Sequence, residues 1–150
     1  MERIGFENVA VHVWDAAKLE EELVNTADVV IADVPCSGLG VIGKKPDIKF
    51  KMTKEAMAEL VPLQRKILHT VQNYVKPGGV LMFSTCTVNR AENQDNVTWF
   101  LENHQEFETE DFKEWIPAEF HQAVKEGMMQ LLPGQFSTDG FFIAKLRRKK

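Results

Sequence analysis

Two cysteines carry most of the chemistry this sequence could do. Cys36 sits in Asp33-Val34-Pro35-Cys36-Ser37-Gly38 and Cys86 in Ser84-Thr85-Cys86-Thr87. Each follows an apolar run, Val29-Val30-Ile31-Ala32 before the first and Val80-Leu81-Met82-Phe83 before the second. A thiolate attacks electrophilic carbon. A cysteine in a strand-end turn that leads to a helix N-terminus has its ionisation favoured by backbone dipoles. Cysteine also serves as a small buried hydrophobe. A redox pair is a third option, although no close Cys-x-x-Cys is present. Two thiols at equivalent strand ends, one of them beside Asp33 and Pro35, favour a reactive pair over two packing residues.

The elements that must position them alternate in type. Residues 9–13 read as a short strand closed by Trp14-Asp15, and residues 18–24 as a brief Glu-rich helix. The run 29–32 is apolar on both faces, which suits a central parallel strand covered on both sides. Pro35, Gly38, Gly40, Gly43 and Pro46 then interrupt regular structure for more than ten residues, and so long a loop is more often functional than idle. Thr53 is placed to cap a helix with Glu55 in its first turn. Pro62 is expected to open a second helix, with Leu63, Ile67, Val71 and Tyr74 on one face and Pro77-Gly78-Gly79 ending it. Residues 80–83 form a second buried strand, and Asn89 to Glu92 resembles a capping box before a helix bearing Val97, Phe100 and Leu101. Residues 107–112 read as a weak strand and 141–144 as a last one. No helix is expected between those two, so they can pair antiparallel. The result is an α/β fold with an open, mostly parallel sheet and an antiparallel edge. Ligands bind beyond the carboxyl ends of such strands, and two parallel neighbours would put both thiols and Asp33 at one rim.

Composition limits the alternatives. The chain has 150 residues, 44% hydrophobic and 27% charged, with two cysteines. This excludes a disulfide scaffold and a four-cysteine zinc site. His12, His69, His104 and His121 show no mutual ligand spacing and read as ordinary surface or half-buried residues, so no metal site is expected. No apolar run approaches the ~20 residues needed to span a bilayer, residues 1–6 show no signal-peptide pattern, and reduced thiols fit the cytoplasm. Net charge is −4, but it is unevenly spread. Lys44, Lys45, Lys49, Lys51 and Lys54 face only Asp47 in the long loop, residues 101–126 are acidic, and residues 145–150 form a basic tail.

The two cysteine segments, Asp33 to Gly40 and Ser84 to Thr87, resemble the paired motifs of RNA (cytosine-5) methyltransferases. More narrowly, the chain is similar to the C-terminal part of the bacterial 16S rRNA methyltransferase B family (the Sun/Fmu proteins). Supporting stretches are Lys45-Pro46-Asp47-Ile48-Lys49-Phe50, Val75-Lys76-Pro77-Gly78-Gly79, Arg90-Ala91-Glu92-Asn93-Gln94, Leu132-Pro133 and Asp139-Gly140-Phe141-Phe142. The resemblance implies a Rossmann-like class I fold and methyl transfer from S-adenosylmethionine to C5 of a cytosine in ribosomal RNA. In that scheme Cys86 attacks C6, Cys36 assists loss of the C5 proton and product release, and Asp33 contacts the N3/N4 edge of the base. S-adenosylmethionine would lie against Asp15, Asp33 and Pro35, with Asp15 on the adenine amino group; the residues alone also allow Asp15 to be a strand-end cap. Lys44, Lys45, Lys49 and Lys51 would hold RNA phosphates.

The family's glycine-rich cofactor loop and its acidic ribose partner have no counterpart before Asp15, and its N-terminal RNA-binding domain is also missing. The expectation is therefore a single, incomplete catalytic domain over residues 1–150 that lacks the first two strands of the sheet and is inactive by itself. Its opening strand would pair with the next, swap to another chain or stay loose, and the exposed edge of 29–32 could support a homo-oligomer. The alternative is a non-catalytic RNA-binding or self-associating module of the same fold. An amino-methyltransferase is disfavoured, because Asp33-Val34-Pro35-Cys36 replaces the Pro-Pro-aromatic ending those enzymes use.

Overall fold

The computed structural model describes residues 8–150; residues 1–6, read above for a leader pattern, lie outside the described residues. Among the described residues six strands form one sheet. They are β1 (Ala27–Asp33), β2 (Val75–Thr85), β3 (Phe107–Thr109), β4 (Val124–Lys125), β5 (Met128–Leu131) and β6 (Phe141–Arg148), in the spatial order β1-β2-β6-β5-β4, with β3 also on β6. Among the helices are α1 (Ile48–Lys51), α2 (Lys54–Val71) and α3 (Gln94–Asn103). The open α/β sheet is as expected. Its parallel part is the β1–β2 pair, and from β2 outward the strands run antiparallel, so the antiparallel region is wider than a single edge. The expected 107–112 strand is shorter, and it does pair antiparallel with the last strand.

The side-chain alternation of β6 explains how both faces are covered. Phe142, Ala144 and Leu146 are fully buried in the main core with Leu81, Phe83, Leu68, Val97 and Phe100, which places α2 and α3 on that face. Ile143 points the other way, with Met129, into a small cluster with Phe112 and Val124. On β1 the second face is bare: Val29 is 56% and Ile31 74% exposed. The run 29–32 is thus not a central strand among the described residues. It is an edge strand, because no described element pairs beyond it or packs on its outer face. Residues 9–13 do not form the expected strand and stay exposed. The chain turns instead at Asp15, whose carbonyl accepts from Lys18 N at 2.8 Å. The 18–24 helix reduces to one 3-10 turn, Glu21–Leu23, held by Tyr74 Oη accepting from Glu20 N at 3.0 Å.

Three further expectations change. Thr53 does cap α2, its side chain accepting from Ala56 N, but Pro62 lies inside one continuous helix. Pro62 and Ala58 are both exposed, so water can satisfy the carbonyl that Pro62 leaves without a donor. Ile67, Val71 and Tyr74 pack in the main core as expected, but Leu63 is 40% exposed and its neighbour Gln64 is fully buried. Pro77-Gly78-Gly79 does not end the helix but lies within β2. There the register moves from Ala27↔Val75 to Val29↔Val80, a bulge that Gly78 makes possible at φ +79°. Finally, His104 is buried at 5% exposure, not a surface residue. It ends α3 against Phe100, with Nε2 3.2 Å from His69 Nδ1, and burial holds its pKa below the usual value.

At the far end of the sheet Glu110 bridges β6. It accepts from Lys145 Nζ at 2.9 Å and from Arg147 Nη2 at 3.0 Å, and Arg147 first, then Lys145, hold its carboxyl down from 4.5 to about 2. A depressed carboxyl adds stability that is full above its unfolded pKa and lost as pH falls through the folded one. The thermal midpoint should therefore drop between pH 4.5 and about 2, and Glu110→Gln should flatten that drop. A variant with an identical pH profile would show that the bridge contributes nothing.

Candidate active site

Parallel pairing carries the chemistry to one place. Asp33 lies beside Ser84 in register, and both strands then leave the sheet in the same direction. Cys36 Sγ and Cys86 Sγ end 3.1 Å apart, and Cys86 N donates to Cys36 Sγ at 3.3 Å. Both cysteines are free and half-buried. Burial first, and then the hydrogen bond with Cys86, push the Cys36 thiol up to about 12, so it is protonated at neutral pH. Asp33 is exposed at the rim, and its Oδ1 accepts from Ser84 Oγ at 2.9 Å. Pro35 is exposed next to it.

Each cysteine is followed by a buried hydroxyl. Ser37 Oγ and Thr87 Oγ1 are 2.7 Å apart, which pins the two loops together just behind the thiols. A third loop joins them: Gly40 N donates to the Cys86 carbonyl at 3.0 Å, and Gly140 N donates to the Gly40 carbonyl at 2.8 Å. Below lies a buried polar layer. Thr85 Oγ1 donates to Asn93 Oδ1 at 2.6 Å, and Asn93 Nδ2 donates to the Thr87 carbonyl at 3.0 Å and to Gln130 Oε1 at 2.8 Å. Asn96 Nδ2 donates to Gln64 Oε1 at 2.8 Å. Sequence reasoning missed this layer. Its traces were Ser37 and Thr87 at equal offsets from the cysteines, and the polar Gln64 on an otherwise apolar helix face. The stretch Asn89–Glu92, read as a capping box, is different in kind: Asn89 does cap Ala91 N, but Glu92 is fully buried and accepts from Asn89 Nδ2.

The remaining predicted residues are more dispersed. Asp15 is exposed and Oδ1 accepts from Ala17 N at 3.0 Å, so its carboxylate shapes the local turn. Lys44 pairs with Asp139 at 2.6 Å and Lys51 with Asp47 at 2.8 Å. Lys45 and Lys49 project from the same exposed segment, and Phe50 between the lysines is 83% exposed. For S-adenosylmethionine the fit is partial. The described residues offer Asp15, Asp33 and Pro35, but residues 8–14, ahead of Asp15, hold no glycine whose turn could present backbone N–H groups to a methionine or ribose. No helix among the described residues is long and apolar enough to cross a membrane.

Comparisons with known proteins show the family. The model of the 16S rRNA methyltransferase RsmB/F family matches residues 1–147. A probable ribosomal RNA small subunit methyltransferase B of Bacillus subtilis (strain 168) is 37% identical over 150 residues, covering 99% of this chain and 34% of that protein. A ribosomal RNA small subunit methyltransferase F of Cronobacter sakazakii is 33% identical over 147 residues, covering 97% of this chain and 31% of its own length. Among solved structures, PH0851 superposes with a TM-score of 0.88 at 35% identity, covering 99% of this chain and 32% of that one. NSun6 from Pyrococcus horikoshii with SFG superposes with a TM-score of 0.79 at 29% identity, covering 99% and 37%. The chain spans about a third of the length of the curated relatives it matches. A thiol pair at the ends of two parallel strands, a family model matched along nearly the whole sequence and a shared fold agree: the chain belongs to the 16S rRNA methyltransferase RsmB/F family.

Proposed function

We propose that this chain supplies the cysteine half of an RNA (cytosine-5) methyltransferase, acting as the C-terminal part of a longer catalytic domain on ribosomal RNA. The observation that carries the reading is the 3.1 Å approach of Cys36 and Cys86 beside Asp33. C5 of cytosine is a poor nucleophile until an adduct at C6 makes it enamine-like. Cys86, as thiolate, adds to C6 and the C5–C6 π electrons move to C5. Asp33, exposed at the rim, takes the N3/N4 edge and balances charge that develops there. After methylation, Cys36 assists removal of the C5 proton, and those electrons re-form the double bond as the Cys86 sulfur leaves. S-adenosylmethionine would supply the methyl group. Because the described residues make only part of its site, the chain alone is expected to be inactive.

The basic segment supports the RNA assignment. Lys45 and Lys49 present charge to phosphates, Lys44 and Lys51 can exchange exposed carboxylates for them, and Phe50 offers a face on which a base can stack. The target base must be extruded from its own stack to reach the thiols.

Trapping tests the reading. The segment is placed into the Bacillus subtilis relative in exchange for its matching third, and the chimera is incubated with RNA bearing 5-fluorocytidine and a methyl donor. A covalent protein–RNA band is expected, absent in Cys86→Ala and retained in Cys36→Ala. Loss of the band in Cys36→Ala alone would reverse the two roles, and no band from a folded, cofactor-binding chimera would sink the reading.

A further inference from the structure

We propose that Glu92 is a positioning residue that ties the two cysteine loops into one unit and sets the separation of the thiols, a role that rests on the cysteine chemistry above. The Glu92 side chain is fully buried. Its Oε2 accepts from Ser37 N at 2.9 Å and from Gln64 Nε2 at 2.9 Å, and its Oε1 accepts from Asn89 Nδ2 at 2.9 Å. Gln64 Nε2 also donates to the Pro35 carbonyl at 2.8 Å. The carboxyl group therefore holds the residue after Cys36 directly, the residue before Cys36 through Gln64, and the Cys86 loop through Asn89. Asn89 N in turn donates to Thr87 Oγ1 at 3.2 Å, and Thr87 meets Ser37. This closes a ring of contacts around the base of both loops.

The chemistry of this arrangement points to geometry instead of packing. Three donors converge on one group, and none of them is a lysine or arginine. Burying a carboxyl without a cation is costly, and an apolar side chain would fill the space more cheaply. What an apolar residue cannot do is bind donors from two loops at once. Glutamine cannot do so either. It replaces one oxygen by an NH2, which must then face the Asn89 amide or the Ser37 and Gln64 donors. Rotating the Asn89 amide to compensate would withdraw Oδ1 from the Ala91 N–H that it caps.

The test reads thiol proximity directly and uses neither RNA nor a methyl donor, so it stays interpretable if the cytosine chemistry fails. Diamide takes the two thiol hydrogens and electrons and is reduced to its hydrazine while Cys36 and Cys86 join. In the folded chain this coupling should be fast, and in Glu92→Gln it should slow about tenfold or more. In denaturant the two proteins should couple at equal rates. Far-UV circular dichroism checks that the variant is folded. A folded Glu92→Gln that couples at the wild-type rate overturns the proposal. Should Glu92→Gln not fold, Asn89→Ala removes one contact from a half-buried position; slower coupling there supports the proposal and an unchanged rate overturns it. If the chimera forms no RNA adduct while Glu92→Gln still slows coupling, the function fails and the positioning role stands.

Discussion

Phe83→Ala is expected to lower the unfolding free energy by about 3–5 kcal/mol. Phe83 is fully buried in β2. Its partner on β1 is Ala32 and its partner on β6 is Ala144, so one ring fills the width that two small neighbours leave open. It also meets Phe142 edge to face, with ring centroids 5.9 Å apart at 69°. Removing the ring leaves alanines at three consecutive positions across the sheet. The strands hold those positions at fixed spacing and cannot close over the gap. Single domains of this size have about 5–15 kcal/mol in total, so the variant sits near its folding limit. Phe83→Leu, which keeps most of the volume, should cost less than half as much. Urea unfolding with unchanged m-value is the measurement. A loss below about 1 kcal/mol would mean that the sheet can collapse here, against the close-packed interior described above.

The central strand pair and the thiol rim were legible in the sequence because both follow from polarity and pattern. Two apolar runs with a helix between them pair in parallel, and parallel strands bring Asp33, Cys36 and Cys86 to the same end. Thr53 was legible because a cap is local chemistry. The edge position of β1 was not. Val29-Val30-Ile31-Ala32 is equally apolar on both faces whether or not a neighbour covers it, and coverage is a property of other segments. Pro62 and Gly78 misled for a related reason. Proline and glycine state what a backbone can do at one residue, and the tertiary setting decides whether a helix continues past the first or a strand bulges at the second. The buried polar layer was the least legible part. Gln64, Glu92, Asn93 and Asn96 have the residue types of a solvated helix surface, and only the meeting of α2, α3 and the two cysteine loops turns that surface inward.

Gly40→Ala should separate the integrity of the thiol site from that of the fold. A Cβ at Gly40 would lie 2.6 Å from the Gly140 carbonyl carbon and 2.8 Å from the Cys86 carbonyl oxygen. Both are backbone atoms, so no side chain can rotate aside. Gly140 is bound by the same contact from its own side, since a Cβ there would come within 2.7 Å of Gly40 Cα and of Val88 Cγ1. Three loops meet at this point, joined by hydrogen bonds from Gly40 N to the Cys86 carbonyl and from Gly140 N to the Gly40 carbonyl. Adding a methyl group must push these loops apart, and the Cys86 carbonyl, one of the backbone groups in the way, is displaced together with the thiol beside it. Overpacking of this kind costs about 1–3 kcal/mol, which the sheet can bear. The thiols cannot bear the same displacement, since a misplacement of about 1 Å costs on the order of a hundredfold in rate. Gly43→Ala is the control, with nothing within 4 Å of the added Cβ; its stability should stay within about 0.5 kcal/mol of wild type. The expected pattern is a folded Gly40→Ala protein with a lowered midpoint, slow thiol coupling and, in the chimera, loss of the RNA adduct, beside a Gly43→Ala protein like wild type. If the two variants behave alike, the Cys86 loop takes its position from β2 by itself, and the close approach of Gly40 and Gly140 is packing without consequence for the thiols.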